Sequence, residues 1–159
     1  MDMRRIMFLS LALFSSTPLF ASDACSYLTN EEVERVTGRE LLFKLTSVPL
    51  PNGAGTVCDS NIVRVIVLAG ENSEQALKKM IKDFGREGEE RFPVSDLGDR
   101  AYALHLKPRT EHERPTALVA VTSGVTTAAI SVRAEEGQLA ESAQPAAVEL
   151  AKIVVSKLD

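Results

Sequence analysis

The sequence predicts an α+β domain: an antiparallel sheet of about five to six strands, covered on one face by helices and carrying one disulfide. Three observations carry that expectation. Residues 25–38, CSYLTNEEVERVTG, write out a helix from start to stop. The run IVRVIVL over 62–68 and the two runs either side of Ser123-Gly124 have the β-branched character of strands. The elements follow one another as helix, strands, helix, strands, helix, an order that suits a sheet with helices segregated to one side.

Ahead of the first helix, residues 1–21 have the build of a secretory signal peptide. Arg4 and Arg5 are followed by an apolar run over 6–14 broken only by Ser10, then Pro18, then the small residues Ala21, Ser22 and Ala24. At about nine residues the run is too short to span a bilayer. Cleavage is expected after Ala21, with the bond after Ala24 as the alternative, and residues 22–159 form a single domain.

The whole chain has 18 Lys and Arg against 22 Asp and Glu, a net charge of −4. Losing Asp2, Arg4 and Arg5 removes one acid and two bases and leaves −5. That balance argues against nucleic acid and an anionic membrane surface as partners, since both demand a basic footprint. No second apolar stretch approaches membrane length.

Export gives Cys25 and Cys58 their meaning. In an oxidising compartment a lone pair of cysteines is most simply a disulfide. Its loop of roughly 34 residues is worth about 3.5–4 kcal/mol in the chain-entropy model. Two other readings stand beside it. Cys25 as a lipidated N-terminus is disfavoured by Ser22-Asp23-Ala24, which offers no apolar residue three before the cysteine. A zinc site lacks a nearby His or Cys to complete four ligands.

In the first helix, Thr29 and Glu32 form a capping box, Leu28 and Val33 a hydrophobic staple, and Gly38 the left-handed stop. Glu31 and Glu32 sit at the positive end of its dipole. Residues 41–45 read as a short strand. Pro49, Pro51, Asn52, Gly53 and Gly55 then make a turn-rich loop. Strands follow at 56–59 and 62–68, the second central and apolar on both sides apart from Arg64, with Asp59-Ser60-Asn61 as the turn of a hairpin.

Asn72 or Ser73 opens a second helix with Leu77, Met80, Ile81 and Phe84 on one stripe, and Gly85 ends it. Lys78, Lys79 and Lys82 lie mostly off that stripe, as the dipole prefers, and Glu87, Glu89 and Glu90 neutralise them. Residues 96–99 form a turn and 101–106 a strand. The segment KPRTEHERP, 107–115, is an exposed loop. Strands at 117–122 and 126–133 make the clearest hairpin, and Pro145 starts a last helix that buries Val148, Ala151, Ile153, Val154 and Leu158.

Chemistry is harder to find. His105 and His112, with Glu111 and Glu113, lack the helical spacing that would aim two imidazoles at one metal, so both are expected to be exposed. No Gly-x-Ser-x-Gly elbow or glycine-rich phosphate loop is present, and oxidised cysteines are not nucleophiles. The carboxylate pairs Glu31/Glu32, Glu89/Glu90 and Glu135/Glu136 sit at a helix start or in loops, where nothing raises a pKa.

Cys25-Ser26-Tyr27-Leu28-Thr29-x-x-Glu32-Val33, the second cysteine, and Leu97-Gly98-Asp99-Arg100-Ala101-Tyr102 together resemble a group of small exported bacterial domains of unknown function. Many of these are lipoproteins. Their mature chains begin Cys-Ser-Leu-Leu-Thr and carry a Leu-Gly-Asp-x-Ala-Tyr signature before a late hairpin. The resemblance covers most of residues 25–158 and implies an α+β fold with one disulfide and no catalytic residues. This chain departs from the group in lacking a convincing lipidation site and in having no Trp and few aromatics.

The expectation is a non-catalytic periplasmic or secreted binding domain, with Arg109, His112 and Arg114 of the charged loop as its interaction residues. One alternative is an inhibitor or immunity-type protein whose acidity neutralises a basic cleft in a toxin or hydrolase. Another is a small exported enzyme of unknown class. The partner expected is another envelope or secreted protein, with a small ligand between sheet and helices as the alternative. No cofactor, metal, nucleic acid or membrane span is expected.

Overall fold

The computed structural model describes residues 23–50, 55–83, 86 and 89–158. The segment read as a signal peptide lies outside them, as do Phe84 and Gly85, the expected end of the second helix's stripe and its stop.

The chain is α+β. Its helices are α1 (Asn30–Thr37), α2 (Ser73–Asp83) and α3 (Gln144–Val155), with short 3-10 turns at Ala24–Ser26 and Ala140–Ala143. The strands are β1 (Thr46–Pro49), β2 (Gly55–Asp59), β3 (Val63–Ala69), β4 (Arg91–Pro93), β5 (Arg100–Leu106), β6 (Thr116–Ser123) and β7 (Thr126–Arg133). They form one antiparallel sheet in the order β1-β2-β3-β7-β6-β5-β4. Two meanders, β1 to β3 and β4 to β7, therefore meet at the β3/β7 pair.

Period-two alternation sorts the sheet's side chains onto two faces. Val63, Val65 and Val67 of β3, Val119 and Val121 of β6 and Ile130 of β7 point to one face, where they pack with Val33 of α1 and with Ala147, Leu150, Ala151 and Val154 of α3. Leu68, Leu104, Leu118, Ala120 and Ala129 point the other way and meet Leu77 and Ile81 of α2. The helices are thus divided, with α1 and α3 on one side and α2 on the other, and do not gather on one face as the sequence led us to expect. The topology requires this connection to cross the sheet, because the chain leaves β3 at the centre and must reach β4 at the far edge. Running over β7, α2 covers the apolar residues beneath it.

α1 is the element the sequence specifies best. The Thr29 hydroxyl accepts from the Glu32 amide at 3.2 Å and the Glu32 carboxylate accepts from the Thr29 amide at 2.8 Å, so both halves of the capping box are made. Leu28 and Val33 are buried, and Gly38 ends the helix at φ +66°. The Cys25–Cys58 disulfide ties this N-terminal corner to β2, with the Cα atoms 4.9 Å apart. Beside it the Ala24 amide donates to the Thr56 hydroxyl at 2.6 Å.

The strand expected at 41–45 lies later, at β1. Residues 41–45 are irregular because side chains take their amides: Glu34 accepts from Leu41, Asn61 from Leu42 and Phe43, and Asn30 from Leu45. Seven strands replace the expected five to six because two edge strands are short, four residues in β1 and three in β4. Each ends in a proline, Pro49 and Pro93, which a sheet tolerates at its edges and which discourages further pairing there.

The Leu97-Gly98-Asp99 turn locks β5 onto the β6–β7 hairpin. Leu97 is buried, the Asp99 amide donates to the Thr122 carbonyl at 2.8 Å, and the Asp99 carboxylate accepts from the Gly124 amide at 2.7 Å. Gly98 sits at φ +58°, and a Cβ there would come within 2.7 Å of both the Thr122 carbonyl oxygen and Val121 Cγ2. Only glycine fits.

Candidate functional site

α2 does not cover the whole of its face. It shields Leu68, Ala120 and Ala129 but leaves open the end of the sheet that carries Arg64, Ser131, Thr116, Leu106 and Arg133. The register sets this layout. Arg64 pairs with Ser131, Ser131 with Leu118, and Leu118 with Leu104, which places them in one row across β3, β7, β6 and β5. Arg133, Thr116 and Leu106 form the next row.

The result is a groove of about 340 Å³. Its floor is Ile66, Leu104, Leu106 and Leu118, and Ile81 of α2 closes one wall. Five arginines rim it: Arg64 and Arg133 from the sheet, Arg86 after α2, and Arg109 and Arg114 from the loop between β5 and β6. Among the described residues of the lining, Glu113 is the acidic one.

Most of these guanidinium groups are held in place. Arg64 lies 2.8 Å from Asp59 Oδ2, and Arg133 lies 3.6 Å from Oδ1 of the same carboxylate while donating to the Ser60 carbonyl. Arg86, with a side chain only 14% exposed, donates to the Lys107 carbonyl at 2.7 Å and stands 3.5 Å from both Glu89 and Glu113. Glu113 also accepts from the Arg109 amide at 2.8 Å, folding the loop back on itself. Asp59 thus sits beside two of the rim guanidinium groups, and Glu89 and Glu113 beside a third.

A second depression of about 340 Å³ continues the basic surface round the end of α2, sharing Ile81, Arg86 and Leu104 with the groove and adding Lys78, Lys79, Lys82 and Arg91. Lys78 pairs with Glu74 and Lys79 with Asp83, each one helical turn away. Glu89, one of the acids expected to neutralise the patch, faces Arg86, and Glu87 lies outside the described residues. The contact with Lys78 holds the Glu74 carboxyl below its usual range despite partial burial. Arg91 stacks over the Tyr102 ring at 4.8 Å, and burial raises the Tyr102 phenol while that cation opposes the rise.

Of the three loop residues singled out by sequence, Arg109 and Arg114 line the groove. His112 does not. Its side chain is 89% exposed and borders a separate depression with Arg39, Asn61 and Arg133, which Arg114 also reaches. There Arg39 donates to the Arg133 carbonyl at 2.6 Å. Burial, opposed by Glu135 and reinforced by Arg114, lowers the Arg39 guanidinium from its ordinary value.

His105 departs from the expectation of an exposed histidine. Its side chain is 16% exposed, stacks on Phe92 at 4.6 Å, donates through Nε2 to Gln144 Oε1 and lies 3.6 Å from Glu141. β5 turns it toward the face where the start of α3 closes over it, so it serves packing. Among the described residues, no group of three or more His, Cys, Asp or Glu side chains could hold a metal ion, and no helix is long and apolar enough to cross a membrane.

Sequence reasoning missed Arg64, Arg86 and Arg133 as members of one site. The available signal was Arg64, a charge inside an otherwise β-branched run; the register that brings Arg133 beside it is set by pairing between distant strands. No family model, curated protein or solved structure matches this chain.

Proposed function

We propose that the chain is an exported, non-catalytic binding domain whose recognition surface is the arginine-rimmed groove. The observation that carries this reading is the convergence of five guanidinium groups from four separate parts of the chain around one apolar floor. Arginine stays charged, and its rigid fork suits recognition of carboxylate and phosphate. A disulfide and a basic-then-apolar-then-small N-terminal sequence support export. Kinship with the small exported domains belongs to the same proposal, and the turn at Leu97-Gly98-Asp99, where glycine is required, supports it.

The test is photo-crosslinking in the cell envelope. A photoreactive phenylalanine analogue at position 109 is expected to give a discrete adduct that disappears with Arg114→Glu, while the same analogue at position 149, exposed on α3, gives none. Adducts confined to position 149, adducts indifferent to Arg114→Glu, or no adduct from position 109 would each remove the proposal.

A further inference from the structure

We infer that the depression lined by Arg39 and Arg114, at the end of β7, is a second binding site, one that takes a phosphate group, free or as a monoester on a small molecule. The inference does not rest on the groove being a binding surface, since Arg39, Leu42 and Asn61 line this depression and not the groove. The space is about 430 Å³, room for a phosphate and a small body attached to it.

Backbone contacts hold its walls in place. Gly38 ends α1, and the Arg39 amide then donates to the Thr37 hydroxyl at 3.3 Å. From there Arg39 reaches the Arg133 carbonyl. On the loop side, the Pro115 carbonyl accepts from the Ala134 amide at 2.8 Å and the Arg114 carbonyl from the Thr116 hydroxyl at 3.0 Å, which fixes the end of the loop beside β7. The Asn61 side chain accepts from the Leu42 and Phe43 amides and sets a third wall. A site ordered in advance spares its ligand the cost of ordering it.

Arg39 uses one of its five donors on the Arg133 carbonyl, and among the described residues neither Arg39 nor Arg114 forms an ion pair. The two are near enough that Arg114 adds to the lowering of the Arg39 guanidinium, which burial begins and Glu135 opposes. Glu40, the acidic residue of the described lining, pairs with neither. Two like charges thus face one space with no carboxylate bridging them. A phosphate dianion offers two charges and three oxygens, so one group accepts from both guanidinium forks. A single carboxylate brings only one charge to the two cations.

Inorganic phosphate is the probe, titrated at constant ionic strength into the full mature protein beside phenyl phosphate and acetate, with the arginine Nε–Hε signals followed by NMR. Saturable shifts are expected at Arg39 and Arg114 and not at Arg64, which lines the groove. Phosphate or phenyl phosphate should bind at least about fivefold more tightly than acetate, and whichever of the two binds tighter assigns the site to the free ion or to an ester. Arg114→Gln, in an exposed loop, should weaken phosphate about fivefold, and Arg39→Lys, which keeps the charge and loses the fork, about threefold. Shifts that never saturate and match those of acetate, which mark an adventitious ion only, shifts centred on Arg64, or variants without effect would overturn the assignment. The crosslink from position 109 should survive Arg39→Lys; its loss would overturn the separation of the two sites.

Discussion

A methyl group at residue 98 would have to displace either the Thr122 carbonyl or the Val121 side chain, on a backbone already in the left-handed region. Gly98→Ala is therefore expected to cost about 2–3 kcal/mol, combining strain at positive φ with a steric shift, measured by urea unfolding at constant m. Gly38→Ala, at φ +66° with nothing within 4 Å of its added Cβ, should cost clearly less in the same experiment. Sequence alone marks Leu97-Gly98-Asp99 as a turn. It does not reveal that the turn lies against β6, because Thr122 is a distant residue. Arg64 tells the same story: its oddity within a strand is visible, its neighbours are not.

α1 was legible in full because every contact that defines it falls within eleven residues, from Leu28 to Gly38. β1 was misplaced because the amides of 41–45 are satisfied by Asn30, Glu34 and Asn61, partners no local pattern announces. One contact joins α1 to the end of the chain: Lys157 Nζ lies 2.8 Å from Glu32 Oε1. Burial pushes the Glu32 carboxyl up, but Lys157 and the Thr29 amide outweigh it and hold the group below its ordinary value. A carboxyl depressed in the folded state stabilises above its unfolded pKa and loses that contribution as pH falls through the folded value. The stability advantage of the wild type over Glu32→Gln should thus be complete near neutrality and shrink below about pH 4.5, followed by urea unfolding across that window.

Net charge misleads at the scale of the molecule. A total of −4 conceals a groove where five arginines meet, since a sum over the chain carries no information about where folding gathers the charges. The class of fold and the disulfide were readable, the first from periodicity and the second from a lone pair of cysteines in the sequence. The groove was not, because it exists only once strands far apart in sequence share a register. Cys58→Ser is expected to lower stability by about 2–5 kcal/mol through the loss of the Cys25–Cys58 link, and thiol labelling of the native protein should find no free sulfhydryl among the described residues.

The seam between the two meanders joins the strands that lie farthest apart along the chain. β5, β6 and β7 join by nearest-neighbour pairings, whereas Val65 and Ile130, partners at the seam, lie far apart along the chain. Closing that long separation costs chain entropy that local hairpins do not incur, so the seam is expected to close after the pairings within each meander. Because Arg64 belongs to the earlier meander and Arg109, Arg114 and Arg133 to the later stretch, the basic rim is completed only in that last step. A partly folded intermediate would carry the scaffold without its full complement of binding groups.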